Sequence, residues 1–247
     1  MQLSRRRFLG YAAATLPLPI GSLQLRRESA PGWSLLELDD RCRLPESIAG
    51  YQAALASLGT RVSRVGPESA SLGRGLIVPA AVELPRPAVS AIVSCLQQGG
   101  WVILESGAAF ACDRELRSHR ALAWDAFQVR LYSPIDLWSL EHQGAGIPYI
   151  EYVWPHATKV RDFSRVVPVG GKPSEVIAWV RGIPVALKRP FDRGMLLVLG
   201  SPLGPALWSG DAEARGWLRS AVQRPTDYPQ GPPGVGRAGG VGPASVR

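Results

Sequence analysis

Cysteine, histidine and methionine are scarce in this chain, with three, three and two among 247 residues. Cys42, Cys95 and Cys112 show no CxxC spacing, which excludes a zinc ribbon and a thioredoxin-like redox motif. No D-x-D pair of acids marks a metal loop, and apart from residues 8–25 no apolar run is long enough to span a bilayer. An electrostatic footprint for nucleic acid is also lacking. Of the net charge of +8, five arginines lie in residues 1–27 without an acid and a further net +2 lies in residues 224–247. The stretch between them is left near +1. A nearly neutral domain does not track a phosphate backbone, so no nucleic-acid partner is expected.

What is present begins with an address. Ser4-Arg5-Arg6-Arg7-Phe8-Leu9-Gly10 follows the twin-arginine export pattern, and a moderately apolar stretch runs on to Leu25, broken by Pro17 and Pro19. Residues 1–30 are therefore expected to direct export to the periplasm or the outer face of the cytoplasmic membrane. Two fates stand open: cleavage, or retention of residues 8–25 as a membrane anchor. Export would place the cysteines in an oxidising compartment, where Cys42 and Cys112 are the pair able to bridge. Cys95 falls on the inner face of a helix.

Residues 31–223 read as one α/β domain. Trp33–Leu38, Thr60–Val65, Leu76–Pro79 and Trp101–Leu104 are expected strands. They alternate with helices opened by Pro45 and by Pro85 and Pro87, and closed by Gly59 and Gly99-Gly100. That rhythm predicts right-handed crossovers and parallel pairing. A further helix is expected within residues 109–130. From about residue 147 short strands follow one another: Tyr149–Trp154, Arg165–Val169, Glu175–Val180, Val185–Lys188 and Met195–Leu199. Glycine turns join them, so this half contains antiparallel pairs. Asp211 caps a last helix that turns Ala214, Trp217, Leu218 and Ala221 inward. From Arg224 onward the Pro/Gly-rich tail, residues 224–247, is expected to be disordered.

Three blocks taken together carry a resemblance. They are Gly75-Leu76-Ile77-Val78-Pro79, the run Gln98–Phe110 with its Gly-Gly, strand and sharp turn, and the pair Ile183–Ala186 and Arg193–Gly200. In order and spacing they resemble the class I glutamine amidotransferase-like superfamily. The resemblance implies a flavodoxin-like three-layer sandwich with a mainly parallel central sheet and antiparallel strands in the C-terminal half. Active members carry a cysteine in a Gly-x-Cys-x-Gly elbow. Here Ser106 stands at that position, or Glu105 if the register shifts by one. The His and Glu expected after the last central strand are absent from Gly200–Gly204. Glutaminase activity is therefore not expected.

The candidate site residues follow from the carboxyl edge of a parallel sheet, where open α/β folds bind ligands. Ser106 is a nucleophile or a helix cap, and Glu105 a general base or a structural acceptor. His156, at the end of a strand, is the histidine best placed to serve either. Asp39, Asp40 and Gly107 are expected to line a ligand crevice at the same edge. Trp124, Trp138 and Trp154 lie in irregular sequence and are able to stack on sugar rings, whereas Trp101, Trp179 and Trp217 read as core. No cofactor and no metal are expected. The reading that results is an exported, non-catalytic amidotransferase-like domain that binds a small-molecule ligand or an envelope protein. The alternatives are a hydrolase using Ser106 or Glu105 with a histidine of the middle segment, and a membrane-tethered scaffold.

Overall fold

The computed structural model describes residues 32–38, 45–68, 74–81, 84–106, 126–137, 148–162 and 165–223. The export segment, the tail, Asp39, Asp40, Cys42, Gly107, Cys112, His119, Trp124, Trp138 and His142 lie outside the described residues.

Strand β1 (Trp33–Leu36) leads through α1 (Pro45–Ser57) to β2 (Val62–Val65), and β3 (Gly75–Ala81) through α2 (Arg86–Gln97) to β4 (Trp101–Ser106). Every residue of β1, β3 and β4 is buried, as expected of strands covered on both faces. Helix α2 opens on prolines and closes at Gly99, whose φ of +85° only glycine adopts freely. Short strands follow: β5 (Arg130–Leu131), β6 (Ile135–Asp136), β7 (Tyr149–Tyr152), β8 (Thr158–Arg161), β9 (Arg165–Val166) and β10 (Val169–Gly170). The chain ends with β11 (Val176–Val180), β12 (Ile183–Phe191), β13 (Gly194–Leu199), α3 (Gly204–Trp208) and α4 (Ala212–Gln223). Asp211 accepts the Ala214 N–H at 2.8 Å and so caps α4.

Nine strands form one open sheet in the order β2-β1-β3-β4-β13-β12-β11-β7-β8. The ladders from β2 to β13 are parallel and those from β13 to β8 antiparallel, four of each. The sheet is thus evenly mixed, and the expected flavodoxin-like sandwich with a mainly parallel sheet is corrected to a nine-stranded mixed sheet. The reason is connection length. The two-residue turns Arg181-Gly182 and Asp192-Arg193 join only antiparallel neighbours, and their strands extend the parallel half without a break.

One local expectation is also corrected. Arg165–Val169 is not one strand: Pro168 offers no N–H, and β9 and β10 on either side of it pair with β6 and β5 in separate two-stranded ladders. The helix expected within residues 109–130 falls mostly outside the described residues, and Arg130 belongs to β5.

Strand alternation divides the interior into two cores. Trp101, Ile103, Leu197 and Leu199 face α1, α3 and α4, where Tyr51, Leu55, Leu207 and Trp217 are buried. Val102, Leu104, Leu196 and Val198 face α2 and the segment around Phe127. Cys95 is buried there, and burial pushes its thiol up to about 11, so it is an inert core residue. Trp154 does not present a sugar platform: it stacks on Trp101 at 6.0 Å, meets Trp217 edge-on and carries Lys188 Nζ 4.5 Å above its ring. Among the described residues no helix is long and apolar enough to cross a membrane.

Helices α1 and α3 touch backbone to backbone through Gly50 and Gly204. A Cβ on Gly50 would stand 2.1 Å from the Gly204 carbonyl oxygen, and one on Gly204 would stand 2.3 Å from Ser47 Cα. Gly50→Ala is expected to destabilise the protein by about 1–3 kcal/mol, the usual result of forcing atoms into a filled contact. Urea unfolding measures this, and an unchanged midpoint would show that the two helices are not in contact.

Candidate functional site at the carboxyl edge

Glu105 ends β4 on the face of α1 and α3, and it is completely buried. Its carboxylate gathers donors from three other elements. Tyr51 Oη of α1 donates to Oε1 at 2.6 Å. The N–H groups of Leu203 and Gly204, at the start of α3, donate to Oε1 at 2.7 and 3.2 Å. The N–H of Ala80 donates to Oε2 at 3.0 Å.

The sequence prepares the last bond. Pro79 and Ala80 interrupt the β3–β4 register between Val78 and Ala81, and Ala80 takes a φ of +38°. The bulge turns its N–H away from the ladder and toward Glu105. Such a backbone costs an alanine about 1 kcal/mol or more, which the buried hydrogen bond offsets.

Burial pushes the Glu105 carboxyl up to about 7, while the Tyr51 hydroxyl and the N–H groups of Leu203, Ala80 and Gly204 pull it back. Tyr51 is raised in turn by burial and by the Glu105 charge. Tyr152 belongs to the same polar group. The register runs Glu105, Leu199, Ala186, Ala178, Tyr152 in one row across the sheet. Burial raises the Tyr152 hydroxyl, and the charges of Glu105 and Asp162 raise it further. Asp162 is itself buried and accepts the Ser201 hydroxyl at 2.5 Å.

Ser106 does not join this group. As the next residue on β4 it turns to the opposite face. Its hydroxyl is buried, and among the described residues it has no hydrogen-bond partner; the helix it was expected to cap lies outside them. His156 is distant as well. Strand β7 runs opposite to β4, so the chain beyond Tyr152 heads toward the start of β4, where Trp154 meets Trp101. Ser106 lies five residues farther along β4, about 17 Å away. His156 is exposed near the opposite edge, and no hydrogen bond joins it to Ser106 or Glu105.

The structure therefore brings together none of Ser106, Glu105 and His156. It joins Glu105 to Tyr51, Leu203, Gly204 and Ala80, none of which the sequence singled out. The only available signal was the break of β3 at Pro79. Among the described residues no cluster of three His, Cys, Asp or Glu side chains is placed to hold a metal.

No family model matches the chain, and no curated protein matches it. Solved structures do. An exo-β-1,4-mannosidase from Opitutaceae bacterium strain TAV5 aligns at 13% identity with a TM-score of 0.53, over 78% of this chain and 35% of that one. A β-galactosidase from Rahnella sp. R3 aligns at 9% identity with a TM-score of 0.57, over 78% and 31%. A cytoplasmic protein from Salmonella typhimurium LT2 aligns at 10% identity with a TM-score of 0.52, over 71% and 85%. The chain spans about a third of the length of the two enzymes. At these identities the likeness is one of fold. The resemblance to glutamine amidotransferase-like proteins is corrected accordingly: the similar enzymes are glycoside hydrolases. The quoted blocks describe strand, turn and helix in that order, which α/β proteins share widely.

The raised acid makes stability depend on pH. Glu105 stabilises the fold fully below its ordinary 4.5, and that contribution is lost as pH rises through about 7, on the order of 3 kcal/mol in all. Glu105→Gln is expected to remove this dependence, whatever its effect on stability itself. Urea titrations at pH 5 and pH 8 compare the two proteins, and equal pH slopes would refute the assignment. Ser106→Ala, which removes a buried unpaired hydroxyl, is expected to be neutral or stabilising by about 1 kcal/mol in the same titration.

Proposed function

We propose that this chain acts on carbohydrates as a domain of the glycoside hydrolase kind, and that it holds saccharide without using the end of β4 for bond cleavage. The observation that carries the reading is the fold shared with a mannosidase and a β-galactosidase. The restriction to binding follows from the site. Glu105 is committed to four donors, Ser106 has no base, and Gly50 and Gly204 close the crevice where an open sheet would take its ligand.

One observation favours the hydrolase alternative. A carboxyl poised at about 7 suits a general acid, and Asp162 acts on the same Tyr152 hydroxyl as a second carboxylate. On that reading α3 must move to admit substrate. Export is part of the proposal and rests on Ser4–Gly10 alone. Replacing Arg5 and Arg6 by lysine is expected to leave the protein inside the cell, as fractionation would show.

Purified protein is to be offered nitrophenyl glycosides of β-mannose, β-galactose and α-L-fucose, and separately the matching oligosaccharides in calorimetry. Binding without turnover is the expected result. Turnover that Glu105→Gln abolishes, and that Ser106→Ala leaves intact, would establish the hydrolase instead. Neither binding nor turnover would overturn both readings.

A further inference from the structure

The stretch between the export segment and the tail is nearly neutral, yet its charge is unevenly placed. Strands β1, β2, β3, β4 and β13 run parallel, so their amino ends share one edge of the sheet. Arg61 immediately precedes β2, Arg74 precedes β3 and Arg193 precedes β13. Trp33 pairs with Val62 on one side and with Gly75 on the other. Arg61 and Arg74 therefore flank Gly32, with their Cα atoms about 10 Å apart across two strand spacings. Backbone bonds fix the three together: the Trp33 N–H donates to the Arg61 carbonyl at 3.0 Å, and the Arg74 N–H to the Gly32 carbonyl at 2.7 Å.

These charges are not matched. Arg64, Lys159 and Arg189 each pair with an acid elsewhere. Among the described residues Arg61 and Arg74 have no ion pair and no side-chain hydrogen bond. Arg193 is exposed and donates Nε to the Gln97 carbonyl at 2.6 Å. That bond closes α2, and its acceptor is uncharged, so the charge of the guanidinium remains. Helices α1 and α2 end at this edge with no acid in their last turns. Their carbonyl ends are partly negative, but those of α1 are answered within the chain, by the Gly59 and Thr60 N–H groups on Ala56 and Leu55. Exposed Asp192 is the acid beside Arg193, one against three arginines.

The chain enters the domain at this same edge. Six residues, 26–31, separate the apolar stretch 8–25 from Gly32. Fully extended they reach about 20 Å. They carry Arg26 and Arg27 against Glu28. A protein partner would call for aromatic or apolar surface at the centre of the patch, and Trp33, Trp101 and Met195 along this edge are all buried. A nucleic acid would call for a longer basic track than three arginines on a nearly neutral domain.

We propose that the amino edge of the sheet rests on an anionic phospholipid surface, with residues 8–25 retained in the bilayer and Arg61, Arg74 and Arg193 set against the headgroup phosphates. The inference rests on the export reading and is independent of the carbohydrate one. It adds to the anchor a second, electrostatic attachment and directs the carboxyl edge of the sheet away from the membrane. A basic residue close to an acidic bilayer strengthens attachment by about fivefold.

The full chain, reconstituted in vesicles, tests this through the rate at which phenylglyoxal modifies each arginine, read by peptide mass spectrometry. Arg61, Arg74 and Arg193 are expected to react about fivefold more slowly in phosphatidylglycerol vesicles than in phosphatidylcholine vesicles. Arg215, beside Gly210 beyond the carboxyl ends of the strands, is expected to react equally in both. Salt at about 1 M is expected to abolish the difference. Arg61→Gln with Arg74→Gln is expected to release Arg193 from protection, and Arg61→Lys with Arg74→Lys to preserve it. Equal rates in the two lipids would overturn the proposal and leave export standing, as would an exported protein whose mature chain begins after Leu25. Protection by duplex DNA in place of phosphatidylglycerol would overturn the lipid assignment. Failure of the chain to leave the cell would overturn the proposal together with the export reading.

Discussion

One buried carboxylate holds the carboxyl edge of the sheet together. Glu105 is the meeting point of β3, β4, α1 and α3, and no other described group joins these four elements through polar contacts. Burying a carboxyl is costly, and here four donors offset the cost. The dependence runs both ways. Without the carboxylate, the Leu203 and Ala80 N–H groups and the Tyr51 hydroxyl would be buried unpaired, each at about 1–3 kcal/mol. The close approach of Gly50 to Gly204 and the bulge at Ala80 make sense only with this acceptor between them.

The same constraint decides which chemistry the edge performs. Consecutive strand residues face opposite ways, so Glu105 and Ser106 never share a site, however close they are in sequence. The row of paired residues that reaches Tyr152 crosses an interior filled by Trp217 and Leu199. Open α/β sheets take ligands at this edge, whereas here the described residues set α1 and α3 over Glu105.

How much of this could be read from the sequence depended on the range of the interaction concerned. The parallel half was legible because β1, β3 and β4 are short unbroken apolar runs and α2 carries its apolar residues at helical spacing. Strand β8 was missed because Thr158-Lys159-Val160-Arg161 alternates with charge and has no turn signal of its own. Glu105 was recognised as unusual, but its role was not, since Tyr51 lies 54 residues before it and Leu203 98 residues after it. The amidotransferase resemblance failed for a related reason. A Gly-Gly, strand, turn and helix order is set by local sterics, which many α/β chains obey, whereas a family is defined by residues converging from distant segments.

The comparison with glycoside hydrolases gains physical content from what has been retained. The identities of 9–13% leave almost no shared side chains, yet most of this chain superposes on about a third of each enzyme. A fold shared at such low identity is specified by backbone geometry and its two layers of core rather than by particular side chains. That matches a domain in which the most deeply buried carboxyl among the described residues serves architecture.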